Sequence, residues 1–103
     1  MKIELHDLVR MTLVEFADRH DLVMEIHERD GTSDLPRYFA HFKHVDIMDR
    51  GCLVGTFGDG NTPEDAMDDY ATRISGKLIA INAFQTSERR EIYVPIINKR
   101  SDT

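Results

Sequence analysis

The stretch 55–66, Gly-Thr-Phe-Gly-Asp-Gly-Asn-Thr-Pro-Glu-Asp-Ala, constrains the fold of this chain more than any other segment. Thr62 suits the N-cap of a helix, because its hydroxyl can accept a backbone N–H. Pro63 suits the first helical position, where a missing N–H leaves no hydrogen bond unmade. Glu64 and Asp65 favour the positive end of the helix macrodipole. The segment therefore predicts a glycine-bearing turn followed by a capped helix.

Apolar residues that alternate with polar ones predict strands on both sides of this helix. Such alternation places successive side chains on opposite faces of a sheet. A Thr-x-x-Glu capping box at Thr12 and Glu15 predicts a second, shorter helix that ends near His20. The predicted strands are Leu22–Asp30, Arg37–Met48, Cys52–Phe57, Leu78–Phe84 and Arg90–Ile97.

These elements predict a single α+β domain over residues 1–103. A chain of 103 residues is long enough for one core. The expected order is α-β-β-β-α-β-β, with an antiparallel sheet and both helices on one of its faces. We expect a bulge near Lys43–His44, where the apolar parity of the second strand changes. Residues 1–8 could form a short edge strand, and residues 98–103 are expected to be a frayed tail.

The glycine pattern Gly55-x-x-Gly58-x-Gly60 before a helix raises the question of a phosphate-binding loop. A bound phosphate would have to lie at the helix N-terminus, where Glu64 and Asp65 repel an anion. No lysine follows in the position that such a loop uses. We therefore predict that the glycines provide a turn and a close passage from strand to helix.

The predicted helix carries an acidic face. Repulsion along such a face lowers helix stability slightly, so the face could be retained for contact with a basic partner. A solvated helix surface without any partner has the same pattern, and both interpretations are open. The predicted partner-binding residues are Asp59, Glu64, Asp65, Asp68, Asp69 and Thr72.

The five histidines could suggest a metal site, yet the sequence identifies no third ligand. His27 and His41 lie on neighbouring predicted strands and could meet on the outer face of the sheet. We interpret them as a cross-strand pair on a solvated surface and expect no bound metal. Phe39, His41 and Lys43 would project from the helix-free face, which has the composition of a nucleic-acid stacking platform.

The composition excludes several functional classes. A net charge of −6 argues against a general nucleic-acid binder, because lysine and arginine supply most phosphate contacts. The lone Cys52 excludes an intrachain disulfide, and no apolar run reaches the roughly 18–20 residues of a membrane span. No nucleophile–base pair or metal-ligand spacing stands out, so we expect neither an enzyme nor a cofactor. We expect a cytoplasmic protein.

The predicted order of elements resembles the double-stranded RNA-binding domain, which runs helix, three antiparallel strands, helix. In that family the third strand enters the second helix through a glycine-containing turn, as Leu53–Gly60 would do here before Thr62. The family uses lysines at the start of this helix to hold phosphates. Here Pro63, Glu64 and Asp65 occupy that place. The resemblance implies the topology, and the reversed charge disfavours RNA binding.

Residues 60–66 are also similar to the Gly-x-Thr-x-Glu-Glu-Ala pattern of the HicB-like antitoxin fold, with aspartate for the second glutamate. That resemblance implies an antitoxin module that masks a small ribonuclease. The N-terminal helix does not belong to that family, and no DNA-binding module follows Pro95. Over Thr12–Leu22 and Arg37–Pro95 the chain resembles small proteins encoded by bacteriophages and prophages, which implies an accessory role.

We therefore predict a non-enzymatic phage or prophage protein that binds a host protein with a basic surface. Inhibition of a bacterial defence complex, as anti-CRISPR proteins do, is the most concrete form, with the acidic helix replacing nucleic-acid phosphates. The antitoxin module is one alternative, and a homodimer is left open. The other alternative is direct nucleic-acid binding through Phe39, His41, Lys43, Arg89 and Arg90.

Overall fold

Two helices in the described chain begin where the capping signals predict. The computed structural model describes residues 11–32, 34–85 and 87–98. Helix α1 spans Leu13–His20 and helix α2 spans Pro63–Ile74. The Thr62 hydroxyl accepts the backbone N–H of Asp65 at 3.0 Å, which satisfies a donor that the helix itself leaves unpaired. The predicted start of α2 is thereby confirmed.

The predicted capping box closes the N-terminus of α1. The backbone N–H of Thr12 donates to the Glu15 carboxylate at 2.8 Å, and the N–H of Glu15 donates to the Thr12 hydroxyl at 3.1 Å. Hydrogen bonds to the carboxylate, first from the Thr12 backbone and then from the Thr12 side chain, favour its charged form and lower the pKa of Glu15. The helix ends at Asp21, whose φ of 56° is left-handed. The predicted capping box and the predicted end near His20 are both confirmed.

Nine strands accompany the helices in the described residues. They are β1 (Met11–Thr12), β2 (Met24–Glu28), β3 (Tyr38–Phe42), β4 (Val45–Asp49), β5 (Cys52–Val54), β6 (Gly58–Gly60), β7 (Leu78–Ile81), β8 (Arg90–Tyr93) and β9 (Ile97–Asn98). The first antiparallel sheet has the order β2-β3-β6, and the second has the order β5-β4-β7-β8. Strands β1 and β9 form a short parallel pair. The α+β class is confirmed, with two antiparallel sheets in place of one.

The strand predicted over residues 37–48 is two strands that belong to different sheets. Strand β3 ends at Phe42, and β4 begins at Val45. The turn residues Lys43 and His44 separate them. His44 has a φ of 61°, a left-handed conformation that histidine adopts more readily than most residues other than glycine. The change in apolar parity thus marks a passage between sheets and not the expected bulge.

The strand predicted over Cys52–Phe57 is also divided. Only its first part, β5, continues the second sheet, where it pairs with β4 across a turn at Arg50 and Gly51. Strand β6 follows and pairs with β3 in the first sheet. Its sequence, Gly-Asp-Gly, contains no apolar residue, so alternation could not reveal it.

Two glycines allow β6 to run directly against α2. A Cβ atom on Gly58 would lie 2.1 Å from the backbone nitrogen of Tyr70. A Cβ atom on Gly60 would lie 2.4 Å from the backbone nitrogen of Ala66. Both distances are far shorter than van der Waals contact, and helix backbone cannot rotate away as a side chain can. The predicted close passage from strand to helix is confirmed.

Both helices and both sheets contribute to one core. Phe16 of α1 and Tyr70 of α2 contact Phe42 of β3, with ring centroids 6.1 and 5.4 Å from it. Ile79 belongs to the same cluster from the second sheet. Burial disfavours the charged phenolate and raises the pKa of Tyr70 to about 12. The helices therefore cover the Phe42 side of the first sheet, as predicted.

The final strands are shorter than predicted. Strand β7 ends at Ile81 and β8 at Tyr93, and Pro95 lies in the break before β9. Asn98 pairs with Thr12 across the short parallel pair instead of fraying. The predicted strand over 1–8 and the rest of the predicted tail lie outside the described residues. Within those residues, no helix is long and apolar enough to cross a membrane.

Candidate functional site

Four side chains from β2 and β3 form a cluster on the helix-free side of the first sheet. In the strand register Glu25 lies opposite His41. His27 lies opposite Phe39. Because alternate residues of a strand share a face, all four project away from the buried Phe42. Phe39 and His41 thus project from the predicted face. The cluster, called here the histidine face, consists of Glu25, His27, Phe39 and His41.

Ring contacts hold the histidine face together. The His27 ring stacks on Phe39 with centroids 4.7 Å apart and on His41 with centroids 5.2 Å apart. The Arg29 guanidinium lies 4.7 Å from the centroid of Phe39, and Phe57 meets that ring edge-on at 5.5 Å. Both contact types stabilise aromatic clusters. Because these neighbours surround Phe39, its ring offers little open surface for stacking a nucleic-acid base.

Glu25 lies between the two imidazoles. Its Oε1 is 3.7 Å from Nε2 of His27 and 3.8 Å from Nε2 of His41. Nδ1 of His41 lies 3.1 Å from the backbone carbonyl oxygen of Phe42. An N–H at Nδ1 that donates to this carbonyl leaves the neutral ring with a lone pair on Nε2. The cluster thus offers two imidazole nitrogens and one carboxylate oxygen within a small volume.

A groove of about 550 Å³ lies beside the histidine face. Phe39 and His41 line it from the first sheet, Asp46 lines it from the second, and the segments 55–57 and 82–85 complete it. Two of its phenylalanines are exposed, Phe57 at 41% and Phe84 at 86%. The groove therefore presents aromatic surface to solvent next to the two imidazoles.

The acidic residues where β6 meets α2 are paired with arginines of the same chain. Asp59 accepts a hydrogen bond from Arg29 at 2.7 Å. The Asp69 carboxylate accepts the backbone N–H of Asp59 at 2.8 Å and the Nε–H of Arg73 at 2.9 Å. Charge-assisted hydrogen bonds of this kind are stronger than neutral ones. Asp59 and Asp69 therefore hold β6 to α2, and their charges are offset within the chain.

The other predicted partner-binding residues lie along α2. Glu64, Asp65 and Thr72 are exposed, and Asp68 is half-buried. The Thr72 hydroxyl donates to the backbone carbonyl of Asp68 at 3.1 Å, so it is engaged within the helix. We call Glu64, Asp65 and Asp68 the α2 acidic surface. This surface is smaller than the acidic face that the sequence predicts, because Asp69 is paired with Arg73.

The residues of the predicted nucleic-acid surface lie in two places. Phe39 and His41 line the groove, whereas Lys43 and Arg90 line a second depression of about 340 Å³. Arg89 forms an ion pair of 2.6 Å with a carboxylate two residues further along the chain. Phosphate recognition needs a continuous run of cations that can follow a backbone. Within the part of the chain that the structure describes, these side chains form no such run.

Sequence reasoning missed Glu25 as a neighbour of the histidines and Arg29 as the partner of Asp59. A usable signal was present, because Glu25, His27 and Arg29 alternate within the strand predicted over Leu22–Asp30 and are expected to share a face. This signal does not identify the cluster by itself, because the strand register is also needed to place His41 opposite Glu25. Periodicity alone does not determine register.

No protein-family model, curated protein or solved structure was found to match this chain. The functional interpretation of the histidine face and the α2 acidic surface consequently depends on the chemistry of their own residues.

Proposed function

We propose that this chain is a non-enzymatic accessory protein, of the kind that phages and prophages encode, and that it binds a basic host-protein surface through the α2 acidic surface. The main observation that supports this proposal is the way α2 is anchored in the core. Four residues on its inner side are buried, whereas Glu64 and Asp65 in its first turn are exposed. A helix fixed in this way holds its carboxylates at constant spacing, which suits electrostatic complementarity to a basic patch.

The most concrete form of the proposal is inhibition of a bacterial defence complex that has a basic nucleic-acid cleft. Carboxylates on a rigid helix can occupy positions that phosphates would take in such a cleft. The net charge of −6 favours long-range attraction to the same surface. The protein and nucleic acid would then compete for one binding site.

Charge reversal in the first turn of α2 tests this proposal. The test variant carries Glu64→Lys and Asp65→Lys. The matched control carries Asp18→Lys and Asp34→Lys, which change two other exposed carboxylates and alter the net charge equally. Each protein is immobilised and exposed to nuclease-treated lysate of the host bacterium, and the affinity of the retained protein is then measured with purified components.

We expect the test variant to lose affinity at least about tenfold while the control keeps it, because complementarity depends on where the charges lie. Circular dichroism establishes that both variants are folded. Equal binding by the test variant and the unmodified chain would refute the proposal. If the retained protein is a small ribonuclease, the antitoxin function replaces inhibition of a defence complex as the proposal. If DNA competes with this chain for the retained protein, inhibition of a defence complex is supported.

A further inference from the structure

The histidine face contains a set of metal donors that the proposed function does not use. We propose that Glu25, His27 and His41 bind one Zn²⁺ ion, or a transition-metal dication with similar ligand preference, on the outer surface of the first sheet. Three protein ligands leave at least one coordination position to water. This side of the sheet faces away from the helices, so the metal site and the α2 acidic surface are independent.

The three ligand atoms are near the spacing that zinc requires. Zinc binds imidazole nitrogen and carboxylate oxygen at about 2.0–2.2 Å, so tetrahedral geometry places two ligand atoms roughly 3.4 Å apart. The carboxylate oxygen of Glu25 is 3.7 Å from Nε2 of His27 and 3.8 Å from Nε2 of His41. All three ligand atoms lie within 4.8 Å of one another. The two carboxylate–imidazole distances, 3.7 and 3.8 Å, therefore exceed the tetrahedral spacing by less than about 0.5 Å.

The two imidazole rings must change their mutual orientation for their lone pairs to converge on one ion, and the more exposed His27 can turn while His41 keeps its contact with the Phe42 carbonyl. Their planes are 15° apart, so the lone pairs now lie in nearly parallel planes. The side chains are 44% exposed for His27 and 28% exposed for His41. Rotation about the second side-chain torsion of histidine meets a broad, shallow barrier, and solvent surrounds part of both rings. Binding would therefore loosen the stack between His27 and Phe39.

The backbone already supports one ligand as metal sites usually do. Metal-binding histidines commonly donate their second ring N–H to a carboxylate or backbone carbonyl, which fixes the tautomer and the ring orientation. His41 has this partner in the carbonyl oxygen of Phe42, 3.1 Å from its Nδ1. Its Nε2, which lies nearer Glu25, is the nitrogen left to bind a metal.

The composition of the donor set determines which metals fit. Two imidazole nitrogens and one carboxylate oxygen suit Zn²⁺, Co²⁺, Ni²⁺ and Cu²⁺. Mg²⁺ and Ca²⁺ prefer oxygen ligands throughout, and Glu25 supplies the only carboxylate of this cluster. The cluster therefore selects transition metals over the two abundant hard cations.

Calorimetric titration of ZnCl₂ into the untagged chain tests the proposal in a Cys52→Ser background, since the exposed thiol of Cys52 could bind zinc by itself. We expect one ion per chain. Glu25→Gln and His41→Gln should each weaken binding at least about tenfold, because even the loss of an outer-shell partner typically weakens it 10–100-fold. His44→Gln is the control, because His44 is exposed and outside the cluster.

Visible absorption of the Co²⁺-loaded chain provides a second measurement, since tetrahedrally bound Co²⁺ has d–d bands far more intense than those of the octahedral hydrated ion. These bands should be lost in His41→Gln and retained in His44→Gln. Absence of saturable binding near one equivalent would overturn the proposal, and so would equal affinity of these two variants. Circular dichroism shows whether His41→Gln is folded, and if it is not, the ligand variant His27→Gln takes its place in the comparison with His44→Gln.

Discussion

Substitution of alanine for Gly58 is expected to force β6 away from α2. A Cβ atom there would lie 2.1 Å from the backbone nitrogen of Tyr70 and 2.3 Å from the carbonyl oxygen of Ala66. Favourable contacts between such atoms begin near about 3.5 Å. The strand and the helix would therefore have to separate by more than roughly 1 Å. No rotamer change relieves the overlap, because both neighbouring atoms belong to helix backbone.

We expect Gly58→Ala to lower the free energy of unfolding by about 3 kcal/mol, the upper part of the range for overpacked cores. The displaced segment of α2 carries Tyr70, which is 1% exposed and packs on Phe42, so the shift also loosens the core. In a domain of this size the midpoint of thermal unfolding should fall by roughly 12–24 °C. Small domains have only about 5–15 kcal/mol of stability in total.

Urea unfolding followed by far-UV circular dichroism measures this change, and Gly55→Ala is the matched control. The nearest atom to a Cβ on Gly55 is Oδ1 of Asp46 at 3.9 Å, which is an ordinary contact. The control should alter the free energy of unfolding by less than about 0.5 kcal/mol. Equal losses in the two variants would refute the close-approach argument, as would a Gly58→Ala protein as stable as the unmodified chain.

Two further predictions concern α2. Asp69→Asn should lower the free energy of unfolding by about 1–2 kcal/mol, because it weakens the hydrogen bonds from Asp59 and Arg73. The control Glu64→Gln, in the exposed first turn, should change the free energy of unfolding by less than about 0.5 kcal/mol. Urea unfolding measures both variants, and equal losses of stability would contradict a structural role for Asp69. The pKa of Tyr70 is raised from 10.0 to about 12, so the unfolded phenol ionises first and stability should fall as the pH rises between these values. Tyr70→Phe should remove this component from the dependence of the urea midpoint on pH, and an unchanged dependence would contradict it.

The start of α2 could be predicted because its causes are local. Thr62 accepts an N–H only three residues away, and Pro63 restricts its own backbone. The role of the glycines could also be predicted locally, since a strand that leads directly into a helix must pass close to that helix. A few consecutive residues therefore contained the information, and the structure confirms the interpretation.

The division of the predicted strands could not be obtained in this way, because it depends on distant partners. Strand β3 pairs with β6, whereas β4 pairs with β7 after the whole of α2 has intervened. The parity change near Lys43–His44 was visible, but a bulge and a change of sheet produce the same pattern. What separates them is the left-handed φ of His44, which the sequence permits but does not require.

The candidate sites show the same difference between local and distant information. Asp59 and Asp69 contribute to an acidic pattern that is evident in sequence. Arg29, which offsets Asp59, lies 30 residues away along the chain. The donors of the histidine face are likewise contributed by two strands whose register only the fold determines. The charge pattern therefore predicted an acidic surface larger than the one in the structure. Periodicity did not reveal that Glu25 joins the two histidines.

The parallel pairing of β1 with β9 has a consequence for protein engineering. Thr12 and Asn98 are register partners, so two segments that are distant in sequence lie side by side. A linker that joins the chain at these two neighbouring positions permits circular permutation, in which new ends are opened at an exposed turn. The turn at Arg50 and Gly51 is exposed and lies between β4 and β5. New ends there would move a fused reporter to a different edge of the molecule while every strand keeps its neighbours.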